Sequence, residues 1–153
     1  MQEESIFIMF KYQPHKLIMK SQEPLSANIH LGTIDASTQV AAQAFLHKIF
    51  GKYDYSEAIL FGSRARKDHH PESDMDVAVL LKGVPGKFIA TKLAMDDLAY
   101  EVLLDTGIRI SPLPIWSEEW AHPEKYSNPS LITNIQREGI RLWDLVSYLK
   151  KLT

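Results

Sequence analysis

Two short apolar runs, Glu57–Phe61 and Asp76–Leu81, bracket the stretch Gly62-Ser63-Arg64-Ala65-Arg66-Lys67-Asp68-His69-His70-Pro71-Glu72-Ser73-Asp74-Met75-Asp76. This arrangement restricts what the chain can fold into more than any other feature. A strand runs into a Gly-Ser turn, ten residues follow, and Asp74 and Asp76 then stand two apart at the head of a second strand. Side chains alternate across a strand, so the two carboxylates leave the same face. Two converging carboxylates repel unless a cation lies between them, and Mg2+ takes oxygen ligands while leaving places for phosphate oxygens. Gly62 lets the backbone turn sharply and come close to a phosphate, and the Ser63 hydroxyl can donate to one. A serine N-cap after a strand would explain the turn alone, and an Asx turn would explain Asp74. Neither accounts for Asp76 opening a strongly apolar strand, where an unpaired charge is costly.

Composition narrows the setting. At 153 residues, 45% hydrophobic and 24% charged, the chain has the make-up of one soluble domain. A net charge of −2 gives no global reason for strong nucleic-acid binding. The absence of cysteine removes disulfides and thiolate zinc sites, which fits a cytoplasmic location. No apolar run nears the roughly 20 residues needed to cross a bilayer. The acidic opening, without a small-residue cleavage site, argues against a secretory signal.

Along the chain, residues 1–37 read as an irregular leader punctuated by Pro14, Pro24 and Gly32, and 38–153 as the domain proper. Apolar spacing predicts a helix over Thr38–Phe50, capped by Asp35 or Ser37. Arg64–Asp68 is expected to form a short helix. Lys87–Asp105 is expected to form a long one, with Phe88, Leu93, Leu98 and Val102 toward the core. A third strand from Ile108 carries Pro112 and Pro114, which push it to a sheet edge or end its pairing early. Helical stretches are expected over Pro129–Arg137, started by Ser127-Asn128, and over Trp143–Lys151. This order fits an α/β (α+β) fold, a small mixed β-sheet with helices packed on it. Trp116, Trp120, Tyr126 and Trp143 are expected to pack in or around the core, with a partner surface as the lesser alternative. His69, His70, Lys67 and Asp68 are read as solvated loop residues.

The pattern Gly-Ser, about ten residues, then Asp-x-Asp resembles the polymerase-beta-like nucleotidyltransferase superfamily. "LFGSRARKD", "SDMDVAVLL", "GIRISPLPIWSEEW" and "NPSLITNIQREGIRLW" extend the likeness from about Thr38 to Trp143, closest to the minimal nucleotidyltransferases. The resemblance implies Asp74 and Asp76 as Mg2+ ligands and catalytic residues, with Ser63. It implies Gly62, Ser63, Arg64 and Arg66 around the triphosphate of ATP. It further implies an antitoxin that transfers AMP to a tyrosine hydroxyl of a HEPN-domain toxin partner, without excluding an oligomer. The family often has glycine near Lys67.

One departure matters. Many superfamily members place a third carboxylate on the third strand, where this chain has Ile108-Arg109-Ile110-Ser111. Ser111 is expected in the acid's place, with Asp105, Glu118 and Glu119 off the strand. Two alternatives therefore stand beside the enzyme: a weak or inactive module that neutralises its partner by binding, and, less favoured, an aminoglycoside-type nucleotidyltransferase.

Overall fold

The computed structural model describes residues 34–142, together with 147 and 151. Four strands form one sheet in the order β3-β2-β1-β4: β1 (Tyr55–Phe61), β2 (Met75–Leu81), β3 (Ile110–Trp116) and β4 (Ile140–Arg141). β1 pairs antiparallel with β2 and with β4, while β2 and β3 run parallel. A parallel pair needs a long crossover, and α3 (Phe88–Thr106) supplies it. Gly107 ends α3 at φ 77°, its N–H reaching the Leu103 carbonyl. The prolines of β3 do sit on an edge strand. On the open side of such a strand a missing N–H costs no ladder bond.

Both faces of the sheet are covered. Strand alternation sends Ala58, Leu60, Val77 and Val79 toward one core, shared with α1 (Ala36–Ile49) and α3. It sends Ile59, Ala78, Leu80 and Ile115 toward a second core with Ile132 and Ile135 of α5 (Pro129–Glu138). Burying an isoleucine side chain contributes about 1.5–3 kcal/mol, so α5 is held mainly by those two residues. Asn128 caps it by accepting from the Leu131 N–H at 3.2 Å. Trp116 belongs to the first core, and Trp120 and Tyr126 pack against the second. Packing is therefore the role of these three aromatics.

Several boundaries differ from the expectation. β1 begins two residues earlier, at Tyr55. The Ser117–Ala121 segment is a helix, α4, followed by a 3-10 turn at Pro123–Lys125. β4 was not foreseen, because two residues are too few for a periodicity to show. Leu93 is a correction: expected in the core, it is exposed, as are Ile89, Tyr100 and Leu104 on the same helix. Most of the leader and most of the expected 143–151 helix, including Trp143, lie outside the described residues. No described helix is long and apolar enough to cross a membrane.

Candidate active site

The Gly-Ser turn joins β1 to α2, a single helical turn at Ser63–Arg66. Gly62 has φ 73° and ψ −155°, a backbone region open to few residues other than glycine. Space makes the same demand, since a Cβ at Gly62 would collide with the Asp76 carboxylate. The turn and the second aspartate are thus in direct apposition. Registry explains this closeness, because Asp76 pairs across the sheet with Phe61, the residue before the turn.

Asp76 is half-buried and Asp74 is exposed. Burial pushes the Asp76 carboxyl above the usual carboxylate range and the charge of Asp74 adds to the rise, while Arg66 pulls it down. These are the electrostatics of a pair lacking positive charge. Arg66 is exposed, with its Nε 3.2 Å from Asp68 Oδ2, and remains near enough to act on Asp76. The Ser63 hydroxyl makes no hydrogen bond among the described residues, while its backbone carbonyl accepts from the N–H groups of Lys67 and Asp68.

Arg64 behaves differently from the expectation that grouped it with Arg66. It is buried, only 2% exposed. Its Nε and one terminal nitrogen donate to the Ser73 carbonyl at 3.1 and 3.0 Å, and that nitrogen also reaches the Pro71 carbonyl at 3.1 Å. Its other terminal nitrogen donates to Thr38 Oγ1 at 2.8 Å. Arg64 therefore fastens the ten-residue loop to α1, and the structure places it as a positioning residue away from the role first read for it.

The fastening extends further. Thr38 Oγ1 donates to Asp35 at 2.7 Å, and Asp35 caps α1 by accepting from the Thr38 N–H at 2.9 Å. His69, expected to be solvated, instead lies 3.2 Å from Asp35 with its side chain only 19% exposed. Burial would raise the Asp35 carboxyl, but hydrogen bonds from Ser37 and Thr38 and the nearness of His69 outweigh it and hold the group at about 2. Lys67, another of the residues read as solvated, carries φ 63° and ψ 24°, the left-handed region that favours glycine. That is the physical reason glycine suits this position.

Ser111 stands where the missing acid was expected. It pairs in register with Asp76 across β2 and β3, and by alternation it shares the face of Asp76. Glu118 and Glu119 lie beyond Trp116, at the opposite end of β3. At about 3.3 Å per residue they are on the order of 20 Å along the strand from Ser111. Glu119 instead accepts from the Trp116 N–H, and Glu118 pairs with Lys125.

A cavity of about 240 Å³ opens between α3 and the head of β3, lined by Asp74, Arg109 and Ser111 and, from the helix, by Lys92, Asp96 and Tyr100 among others. The helical residues went unrecognised in the sequence. Their one visible signal was the i,i+4 spacing of Lys92 and Asp96, which says nothing about what the helix faces. Asp96 does not replace the missing acid, because Lys92 Nζ holds its carboxylate at 3.0 and 3.2 Å and also donates to the Pro112 carbonyl. Among the described residues, no group of three or more His, Cys, Asp or Glu is arranged to hold a metal.

Residues 45–113 match the family model described as "Polymerase beta, Nucleotidyltransferase". That span takes in the Gly-Ser turn, both aspartates and Ser111. Among solved structures, the chain is similar to a candidate nucleotidyltransferase from Sulfolobus solfataricus. The two are 19% identical with a TM-score of 0.42, over 65% of this chain and 81% of that one. No curated protein matches the chain.

Proposed function

We propose that this protein is a Mg2+-dependent nucleotidyltransferase that moves AMP from ATP to a tyrosine hydroxyl of a HEPN-domain toxin, and so acts as its antitoxin. The observation that carries the reading is the apposition of Gly62 to Asp76, with Asp74 close enough to disturb the Asp76 carboxyl. A half-buried carboxylate beside a second one, with no third acid grouped with them among the described residues, fits a single divalent ion whose remaining ligands are phosphate oxygens and water. Asp74 and Asp76 would hold that ion. When bound, it supplies positive charge that stabilises the charge developing on the phosphate.

The chain's own residues do the rest. Gly62 presents backbone to the triphosphate at close range, and the Ser63 hydroxyl donates to it. Arg66 offsets negative charge as pyrophosphate leaves. Arg64 keeps the loop in the shape that delivers Asp74 and Asp76 together. The acceptor oxygen bonds to the α-phosphorus, the bond to the bridging oxygen of pyrophosphate breaks, and the acceptor proton is lost. Asp76, in register with Ser111 where an acid would serve as base, is the carboxylate that would receive that proton.

Ser111 favours one other reading. With a hydroxyl in register with Asp76 where a carboxylate would serve as base, the protein would neutralise its partner by contact alone. Incubation with α-³²P-ATP, Mg2+ and a candidate HEPN-domain partner decides between the two. Label on the partner that falls by about 10²-fold or more in an Asp74→Ala, Asp76→Ala double variant supports transfer. Stable binding with no label from any nucleotide leaves the contact reading.

A further inference from the structure

The large hydrophobic side chains that stand exposed among the described residues all lie on α3 or just ahead of it. Val84 precedes the helix, and Ile89, Leu93, Tyr100 and Leu104 follow along it, each more than half exposed. At 3.6 residues per turn, the four helical ones fall within an arc of about 60° and extend over about 22 Å. Single exposed apolar residues scattered over a surface need no partner, but a stripe gathered on one face marks a surface that something covers.

The charge around the stripe is acidic. Asp96 and Asp97 flank it, and Glu101 and Asp105 follow toward the negative end of the helix dipole, where the last turn holds no base. Lys92 pairs with Asp96 on the wall of the site cavity, and Lys48 of α1 pairs with Glu101. Even counting both lysines, acids outnumber bases along this helix. An occupant that is apolar and basic complements the face, whereas a second copy of α3 would set acid against acid.

We infer that residues 6–20 of the same chain dock on this outer face of α3. The segment reads IFIMFKYQPHKLIMK: two apolar patches, at 6–10 and 17–19, with Lys11, Lys16 and Lys20 and no acid. Its root is on the correct side of the sheet, because Ile34 is buried in the core that α1 shares with α3. The chain between Lys20 and Ile34 spans up to about 45 Å when extended, twice the length of the stripe. The tail at 143–153 matches less well: it carries Asp144 beside its two lysines, and it follows β4, at the sheet edge opposite β3. Tyr100 belongs both to the stripe and to the lining of the site cavity, so the docked segment borders the way into that cavity.

The test uses the full chain. It has no cysteine, so Gln13→Cys, between the two apolar patches, gives a single attachment point for a nitroxide. An intramolecular contact of this reach benefits from a high effective concentration, so the label should lower the ¹⁵N amide intensities of Leu93, Asp97, Tyr100 and Leu104 about twofold or more relative to the reduced label. Thr133 and Gln136 of α5, on the other face of the sheet, should keep theirs. Two further changes, each made in the labelled chain, should restore most of the lost intensity: the triple variant Lys11→Glu, Lys16→Glu, Lys20→Glu, and Leu93→Asp at an exposed position that does not endanger folding. Docking of this segment is overturned by unchanged intensities on α3, by broadening that persists in both variants, or by equal broadening of α5. It is also overturned if a ¹⁵N chain without nitroxide is broadened to the same degree when mixed with an unlabelled-nitrogen chain that carries it, which would make a second copy the occupant. No nucleotide is present, so the outcome is independent of AMP transfer.

Discussion

The loop from Gly62 to Asp76 and the head of β3 meet at the same site, yet they are held in opposite ways. Arg64 ties the loop to α1 through Thr38 and to itself through the Ser73 and Pro71 carbonyls, and His69 leans on Asp35 from the other side. The head of β3 brings Arg109, Ile110 and Ser111, faces an open cavity, and contributes no carboxylate. The first region is a preset cradle that holds two like charges together, and the second is an unfilled port. Hydrogen bonds are concentrated where two like charges are held together, and open space lies beside them.

The contrast breaks first at the latch. Arg64→Ala should cost about 2–4 kcal/mol, since it leaves the carbonyls of Pro71 and Ser73 and the Thr38 hydroxyl without their partner. Chemical denaturation measures this. Arg64→Lys should recover little of the loss, because an ammonium cannot span the same forked set of acceptors. Near wild-type stability in either variant would remove the latch from the account.

At the port, Ser111→Asp places a carboxylate beside Asp76 and should raise the transfer rate about 10²-fold, the lower end of what general-base assistance supplies. An unchanged rate would show that Asp76 alone suffices to take the proton.

The two loop-anchoring aspartates offer a subtler test, since their carboxyls are shifted in opposite directions. Asp76 has a raised pKa in the folded state, so its ionisation opposes folding. Asp76→Asn should stabilise the metal-free protein at neutral pH, with the gain shrinking as pH falls through the raised folded-state pKa toward 3.8 and vanishing below it, where Asp76 is protonated in both states. Mg2+ should then stabilise the wild type more than the variant. Asp35 is lowered to about 2, so its anion supports folding. Asp35→Asn should lose stability at neutral pH, and the difference should fade as pH drops from 3.8 through about 2. Thermal melts across pH in chelator, repeated with Mg2+, read both signs.

The smallest effect is expected at Lys67. Glycine there relieves the left-handed backbone and should stabilise by up to about 1 kcal/mol, whereas valine should destabilise by about 1–2 kcal/mol. A stabilising valine would contradict the backbone geometry.

Much of this was local and therefore legible. The Gly-Ser turn, the Asp-x-Asp spacing, the two apolar strands and the edge prolines each report on residues close together in the chain. Asp35 was readable as a cap for the same reason. Strand alternation put Arg109 and Ser111 on one face and the family resemblance put Ser111 in the acid's place; the parallel register of β2 and β3 sets it beside Asp76. The reading failed where one residue type serves two environments. Arg64 and Arg66 look alike as exposed arginines of a short helix, but only the packing of α1 against the turn buries the first. Leu93 has core chemistry and helical spacing, but nothing described covers that side of α3. Lys92, Asp96 and Tyr100 enter the site only because the crossover lays α3 along β3. The sequence by itself determined the cradle, since turn geometry and strand periodicity act over a few residues. Tertiary structure alone decided the latch and the port, because both arise where segments tens of residues apart are brought into contact.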